Sequence, residues 1–83
     1  MAAAYNQSAI RAALAMSDPV MSSYLDLESG SVVTMDDTAT DPATESKRNE
    51  VMAQYGDRYR YISGGNAAAD DAAVRQWLEA EGL

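Results

Sequence analysis

Residues 23–35 read Ser23-Tyr24-Leu25-Asp26-Leu27-Glu28-Ser29-Gly30-Ser31-Val32-Val33-Thr34-Met35, and this stretch decides the fold. Side chains alternate along a strand, so Leu25 and Leu27 share one face while Tyr24 and Asp26 take the other. After Glu28-Ser29-Gly30-Ser31 comes the β-rich run Val32-Val33-Thr34-Met35, and Gly30 is free to take positive φ in the connection. Two such runs around a short glycine-bearing loop predict a β-hairpin. An isolated hairpin is rarely stable in water, so the flanking chain must supply a third strand and covering helices.

Upstream, Ile10, Ala13 and Leu14, with Ser17 completing the face, follow a helical spacing, and Asn6 or Ser8 can cap the start. Ser17-Asp18-Pro19 either stops this helix or opens a short second turn, since proline turns the preceding residue away from αR. Downstream, Asp36-Asp37-Thr38-Ala39-Thr40 is a polar connection. Asp41-Pro42 then reads as an N-cap followed by proline at the first helical position. This second helix is expected to run to Tyr55, with Gly56 as its left-handed C-terminal residue. Val51, Met52 and Tyr55 would form its apolar stripe, and Glu45, Lys47, Arg48, Asn49 and Glu50 would face water. Arg58-Tyr59-Arg60-Tyr61-Ile62 alternates and suits the third strand, with a wet arginine face and a buried tyrosine face. Ser63-Gly64-Gly65-Asn66 breaks it. A last helix follows, capped by Asn66 or Asp70, with Val74, Trp77 and Leu78 on one face. Its end, Gly82-Leu83, allows Leu83 to fold back on Leu78.

The expected architecture is therefore a two-layer α+β domain of order α-β-β-α-β-α. An antiparallel three-stranded sheet carries helices packed on one face, and sheet edges are left open to pairing. Eighty-three residues fit one domain over 1–83, with 1–7 free to fray before the first helix. A chain of this size buries only roughly 60% of the surface its unfolded form exposes.

The hairpin Tyr24-Leu25-Asp26-Leu27-Glu28-Ser29-Gly30-Ser31-Val32-Val33 resembles the "YLD-x-x-TG-E-V" hairpin of the UPF0158 family of uncharacterised bacterial proteins. That family has a short helix before the hairpin, as Ile10 to Met16 would be. After the hairpin it has an acidic connection and a "Y-x-x-I" strand, matched here by Tyr59 to Ile62. The resemblance covers about residues 9–62. Residues 63–83 depart from it, being a compact helix where the family has a longer helical half. The family has no established activity, so the resemblance implies a fold and no chemistry.

The chain has no histidine and no cysteine. This removes Ser-His-Asp and Cys-His catalysis, conventional zinc sites and any disulfide framework. Lys47, the only lysine, neighbours Ser46, but adjacent helical residues do not face each other, so Ser-Lys chemistry fails on geometry. No enzyme activity and no cofactor are expected. Thirteen acidic residues against six basic ones give a net charge of −7, which disfavours direct binding to nucleic acid or anionic lipid and permits docking to a basic protein surface. No stretch approaches the ~20 apolar residues of a membrane helix, and the start lacks a basic leader, so a cytoplasmic protein is expected.

Asp36, Asp37 and Asp41, with Glu45 one turn later, form the densest acidic group. The regular calcium-loop spacing and its inner glycine are absent. The group reads either as a solvated loop plus an N-cap, or as an acidic patch for a basic partner. Two functions remain open. One is a protein-binding regulator, including a small phage-type inhibitor whose carboxylates imitate nucleic acid. The other is a structural or accessory domain that forms a homodimer within a larger assembly.

Overall fold

A computed structural model describes residues 4–83. The hairpin forms as expected, from β1 (Met21–Asp26) and β2 (Val32–Asp36). Tyr24 stands opposite Val33, and Gly30 takes a φ of 79° in the turn. The third strand, β3 (Tyr59–Ile62), runs antiparallel on the far side of β1, giving the sheet order β2-β1-β3. Three helices complete the α-β-β-α-β-α order: α1 (Gln7–Ala15), α2 (Pro42–Ala53) and α3 (Asp71–Ala80). The α+β class, the element order and the antiparallel sheet agree with the sequence reading.

The helix ends resolve the open alternatives. Asn6 caps α1, accepting the Ala9 N–H at 3.1 Å. Asp41 caps α2 through the Thr44 N–H at 3.0 Å, and Asp70 caps α3 through the Ala73 N–H at 2.9 Å. At the end of α3, the Leu83 N–H donates to the Leu78 carbonyl and the Gly82 N–H to the Glu79 carbonyl, the paired bonds of a Schellman motif. Met16 is already extended and ends α1, and Asp18-Pro19 also opens a turn, in which the Asp18 side chain accepts the Val20 N–H at 3.1 Å and its carbonyl the Met21 N–H at 3.3 Å. The expected fraying of residues 1–7 lies, for residues 1–3, outside the described residues. Of the others, Tyr5 packs against the core and the Asn6 N–H donates to the Gly30 carbonyl at 2.8 Å.

Helix placement corrects one expectation. Leu25 and Ile62, from one face of the sheet, pack with Ile10, Ala13 and Leu14 of α1 and Val74 of α3. The opposite face carries Met35 and Tyr59, which pack with Val51 of α2. Helices therefore cover both faces, with α2 alone on the Tyr24 side. The physical reason lies in the alternation of the strands: Val33, Met35 and Tyr59 need cover as much as Leu25 and Ile62 do. Only Val51 of the expected α2 stripe is buried; Met52 and Tyr55 are half exposed. Trp77 and Leu78 pack against the α1–α3 core.

Arg58 and Arg60 also depart from expectation, since neither forms a wet face. Asp26 is 4% exposed, and a buried carboxylate needs a partner. Arg58, just outside β3, supplies it with two bonds of 3.0 Å, from Nε and Nη2. Its guanidinium also lies over the Tyr59 ring, 5.1 Å from the centroid. Arg60 reaches the C-terminal end of α3, donating to the Glu81 carbonyl at 2.9 Å, where backbone partial charge is negative. On the tyrosine side, Tyr59 is buried but Tyr61 is 43% exposed.

The two sheet edges differ. Hydrogen-bonding parity turns the backbone groups of Tyr59 outward from β3, and there the 54–56 connection covers them. The Tyr59 N–H donates to the Gln54 carbonyl, and the Gly56 N–H donates to the Tyr59 carbonyl. On β2 the same parity leaves Val32 and Thr34 outward. Arg48 donates to the Asp36 carbonyl at 3.1 Å and so closes that end of the edge. Among the described residues, no helix is long and apolar enough to cross a membrane.

Candidate functional site

The four acidic residues singled out by sequence lie where β2 hands over to α2, and local bonds hold two of them, Asp36 and Asp41. Asp36 Oδ1 accepts from the Thr38 N–H at 2.8 Å and the Thr38 hydroxyl at 2.6 Å. Asp41 Oδ2 accepts from the Thr44 N–H and hydroxyl at 3.0 and 2.9 Å. These bonds favour the ionised form and lower both pKa values, with the Thr38 hydroxyl leading for Asp36 and the Thr44 N–H for Asp41. Asp37 accepts the Ser22 hydroxyl at 2.6 Å, and Glu45 is exposed in the first turn of α2.

Tertiary structure adds a fifth carboxylate. The Asp18 side chain accepts the Val20 N–H at 3.1 Å, and the Val20 carbonyl accepts the Asp37 N–H at 2.7 Å. The connection from α1 to β1 thus brings Asp18 to the same end of the sheet as Asp36 and Asp37. Sequence spacing carries no sign of this, because Asp18 lies 18 positions before Asp36. Among the described residues, none of these five carboxylates forms an ion pair. Arg48, the cation of this region, directs Nη2 to the carbonyls of Asp36 and Ala39 at 3.1 and 3.0 Å.

The turn end of the hairpin is arranged oppositely. There Arg58 faces Asp26, Glu28 and Glu50, and Lys47 faces Glu50. The Tyr59 hydroxyl donates to Glu50 at 3.3 Å and lies 3.4 Å from Lys47 Nζ. The bond with Tyr59, above all, raises the Lys47 pKa. Direct ion pairs thus gather at this end, whereas at the other Arg48 acts on Asp36 and Asp41 only from beyond ion-pair distance.

A second feature lies on the Tyr24 face. The rings of Tyr24 and Tyr61 are 5.5 Å apart between centroids, and those of Tyr24 and Tyr55 are 6.3 Å apart with an edge-on angle of 84°. Tyr55 and Tyr61 are about half exposed. Burial raises the Tyr24 pKa, and the nearby Asp37 carboxylate raises it further. The sequence reading paired tyrosines within one strand and missed this trio, which is assembled from β1, β3 and the end of α2. Among the described residues, no group of three or more carboxylates is arranged to hold a metal ion. Comparisons with family models, with curated proteins and with solved structures gave no match, so the UPF0158 resemblance rests on the quoted residues alone.

Proposed function

We propose that this protein is a non-enzymatic regulator that docks its acidic end on a basic surface of a partner protein. The observation that carries the reading is the uneven compensation of charge: Asp18, Asp36, Asp37, Asp41 and Glu45 gather at one end with no ion-pair partner among the described residues. Hydrogen bonds hold Asp36 and Asp41 ionised. Ordered carboxylates on a small rigid body suit a phage-type inhibitor that occupies a nucleic-acid groove, a narrower form of the same proposal. In support of a binding role, a groove of about 420 Å³ between α1 and the sheet is lined by Ala9, Ala12, Met16, Ser23, Val32 and Thr34 among others. None of these titrates, so the groove has no proton to move.

The test is capture of the partner from host lysate at low and high salt, followed by amide replacement. Asp36→Asn and Asp41→Asn retain the oxygens that hold the turn and the N-cap, and remove only charge. With Asp18→Asn, Asp37→Asn and Glu45→Gln added, binding should fall and lose most of its salt dependence. Salt-insensitive binding would sink the nucleic-acid mimicry version, and full binding by the five-fold variant would sink the acidic-surface reading altogether.

The open Val32 and Thr34 edge of β2 favours a second reading, a homodimeric accessory domain paired strand to strand. A strict monomer in sedimentation at high concentration would remove it.

A further inference from the structure

Helices α1 and α3 cover one face of the sheet, while α2 covers only part of the other, over Met35 and Tyr59. The uncovered part carries Tyr24, Tyr61 and, from the end of α2, Tyr55. Of the five large apolar side chains most exposed in the described chain, Tyr55 and Tyr61 belong to this one surface. Its rim is acidic. Ser22, two residues before Tyr24 on the same face of β1, donates its hydroxyl to Asp37 at 2.6 Å, and Asp18 and Tyr61 line one shallow groove. Among the described residues, the cation–π contacts, from Lys47 and Arg58, both fall on Tyr59, and the Tyr24, Tyr55 and Tyr61 rings contact one another but no cation. An aromatic centre with a polar rim is the anatomy of a binding hot spot.

We infer that this tyrosine face seats arginine side chains of the partner, with guanidinium groups stacked on the rings and held at the rim by Asp37 and Asp18. Charge complementarity selects this occupant. Planar guanidinium is weakly hydrated and stacks on aromatic faces, whereas the ammonium of lysine is compact and strongly hydrated. A second copy would set one acidic rim against another in a chain of net charge −7. The inference deepens the acidic-surface proposal by naming what lies at the centre of the interface, and it rests on that reading for the partner's sign.

The probe is a short blocked peptide with two arginines spaced by glycine, titrated into the full chain bearing ¹⁵N-labelled backbone amides and ¹³C-labelled tyrosine rings. Lysine and citrulline versions serve as controls. Tyr24, Tyr55 and Tyr61 resonances should move, Tyr5 and Tyr59 should not, and binding should rank arginine above lysine above citrulline. Tyr55→Leu and Tyr61→Leu alter exposed rings and should each weaken arginine-peptide binding about 2- to 5-fold. Unchanged affinity in both variants overturns the inference, as does arginine binding no better than lysine. Shifts confined to residues 36–45 would also overturn it, while leaving the acidic-surface reading intact. Loss of binding in the tyrosine variants with none in the five-fold amide variant, which neutralises Asp18 and Asp37, would overturn the acidic rim and with it the inference as stated, and would refute the acidic-surface reading too. Ring shifts that depend on protein concentration without peptide would overturn it in favour of a second copy.

Discussion

Replacing Asp26 by Asn tests the buried pair that ties the hairpin turn to β3. The carboxylate accepts the Glu28 and Ser29 N–H groups at 2.9 and 3.3 Å and two bonds from Arg58 at 3.0 Å. Asparagine keeps one acceptor for the turn but sets its NH₂ donors against the guanidinium. Breaking a fully buried pair costs about 3–5 kcal/mol, and here the loss is discounted because Arg58 retains some solvent access; about 2 kcal/mol is expected. Glu28 and Glu50, each 3.6 Å from Arg58, soften the loss further. For a chain of this length that is a fall in Tm of about 8–16 °C. The pH dependence adds a second readout. The Arg58 bonds above all hold the Asp26 pKa well below the usual carboxylate range. Its stabilisation is therefore complete above the unfolded pKa of about 3.9 and is lost as pH falls from there through the depressed folded value. Urea unfolding of both proteins from pH 7 to pH 2 should show the gap between them narrowing below about pH 4. A difference under about 0.5 kcal/mol at pH 7, with parallel acid limbs, would refute the assignment of Asp26 and Arg58 as a stabilising pair.

The two apolar clusters predict a contrast. Val74→Ala empties a fully buried site beneath α1 and should cost about 2 kcal/mol, whereas Met52→Ala on the exposed side of α2 should cost under about 0.5 kcal/mol by urea unfolding. Gly64→Ala would drive a methyl group against the Met16 carbonyl at the end of α1, so its Tm should fall while the far-UV spectrum stays native in shape. Asp41→Ala removes the α2 cap, and amide exchange at Thr44 should quicken, whereas Asp41→Asn should leave it nearly unchanged.

Much of the local structure was legible because it depends on neighbours in the chain. Leu25 and Leu27 against Tyr24 and Asp26, the Ser-Gly turn, Asp41-Pro42 and Gly82-Leu83 each name their own conformation through sterics or a hydrogen bond within a few residues. The acidic stretch from Asp36 to Glu45 was visible for the same reason, being contiguous.

What escaped the sequence depends on elements meeting across the fold. Once β3 paired with β1 rather than β2, Tyr61 came beside Tyr24 and Tyr59 came opposite Asp26. Met35, Tyr59 and Val51 could then bury one another, and α2 went to the face away from α1 and α3. Arg58 turned to a buried carboxylate 32 residues away because a desolvated charge must be paired, a demand that arises only after burial. Asp18 joined the acidic end through the Val20 carbonyl. By itself the sequence determined the kinds of element, their order and the sign of the charge, all set by local sterics and composition. Which faces are covered, which carboxylates stay unpaired and which tyrosines share a surface were decided only by tertiary pairing, because desolvation acts on groups that the folded chain has brought together.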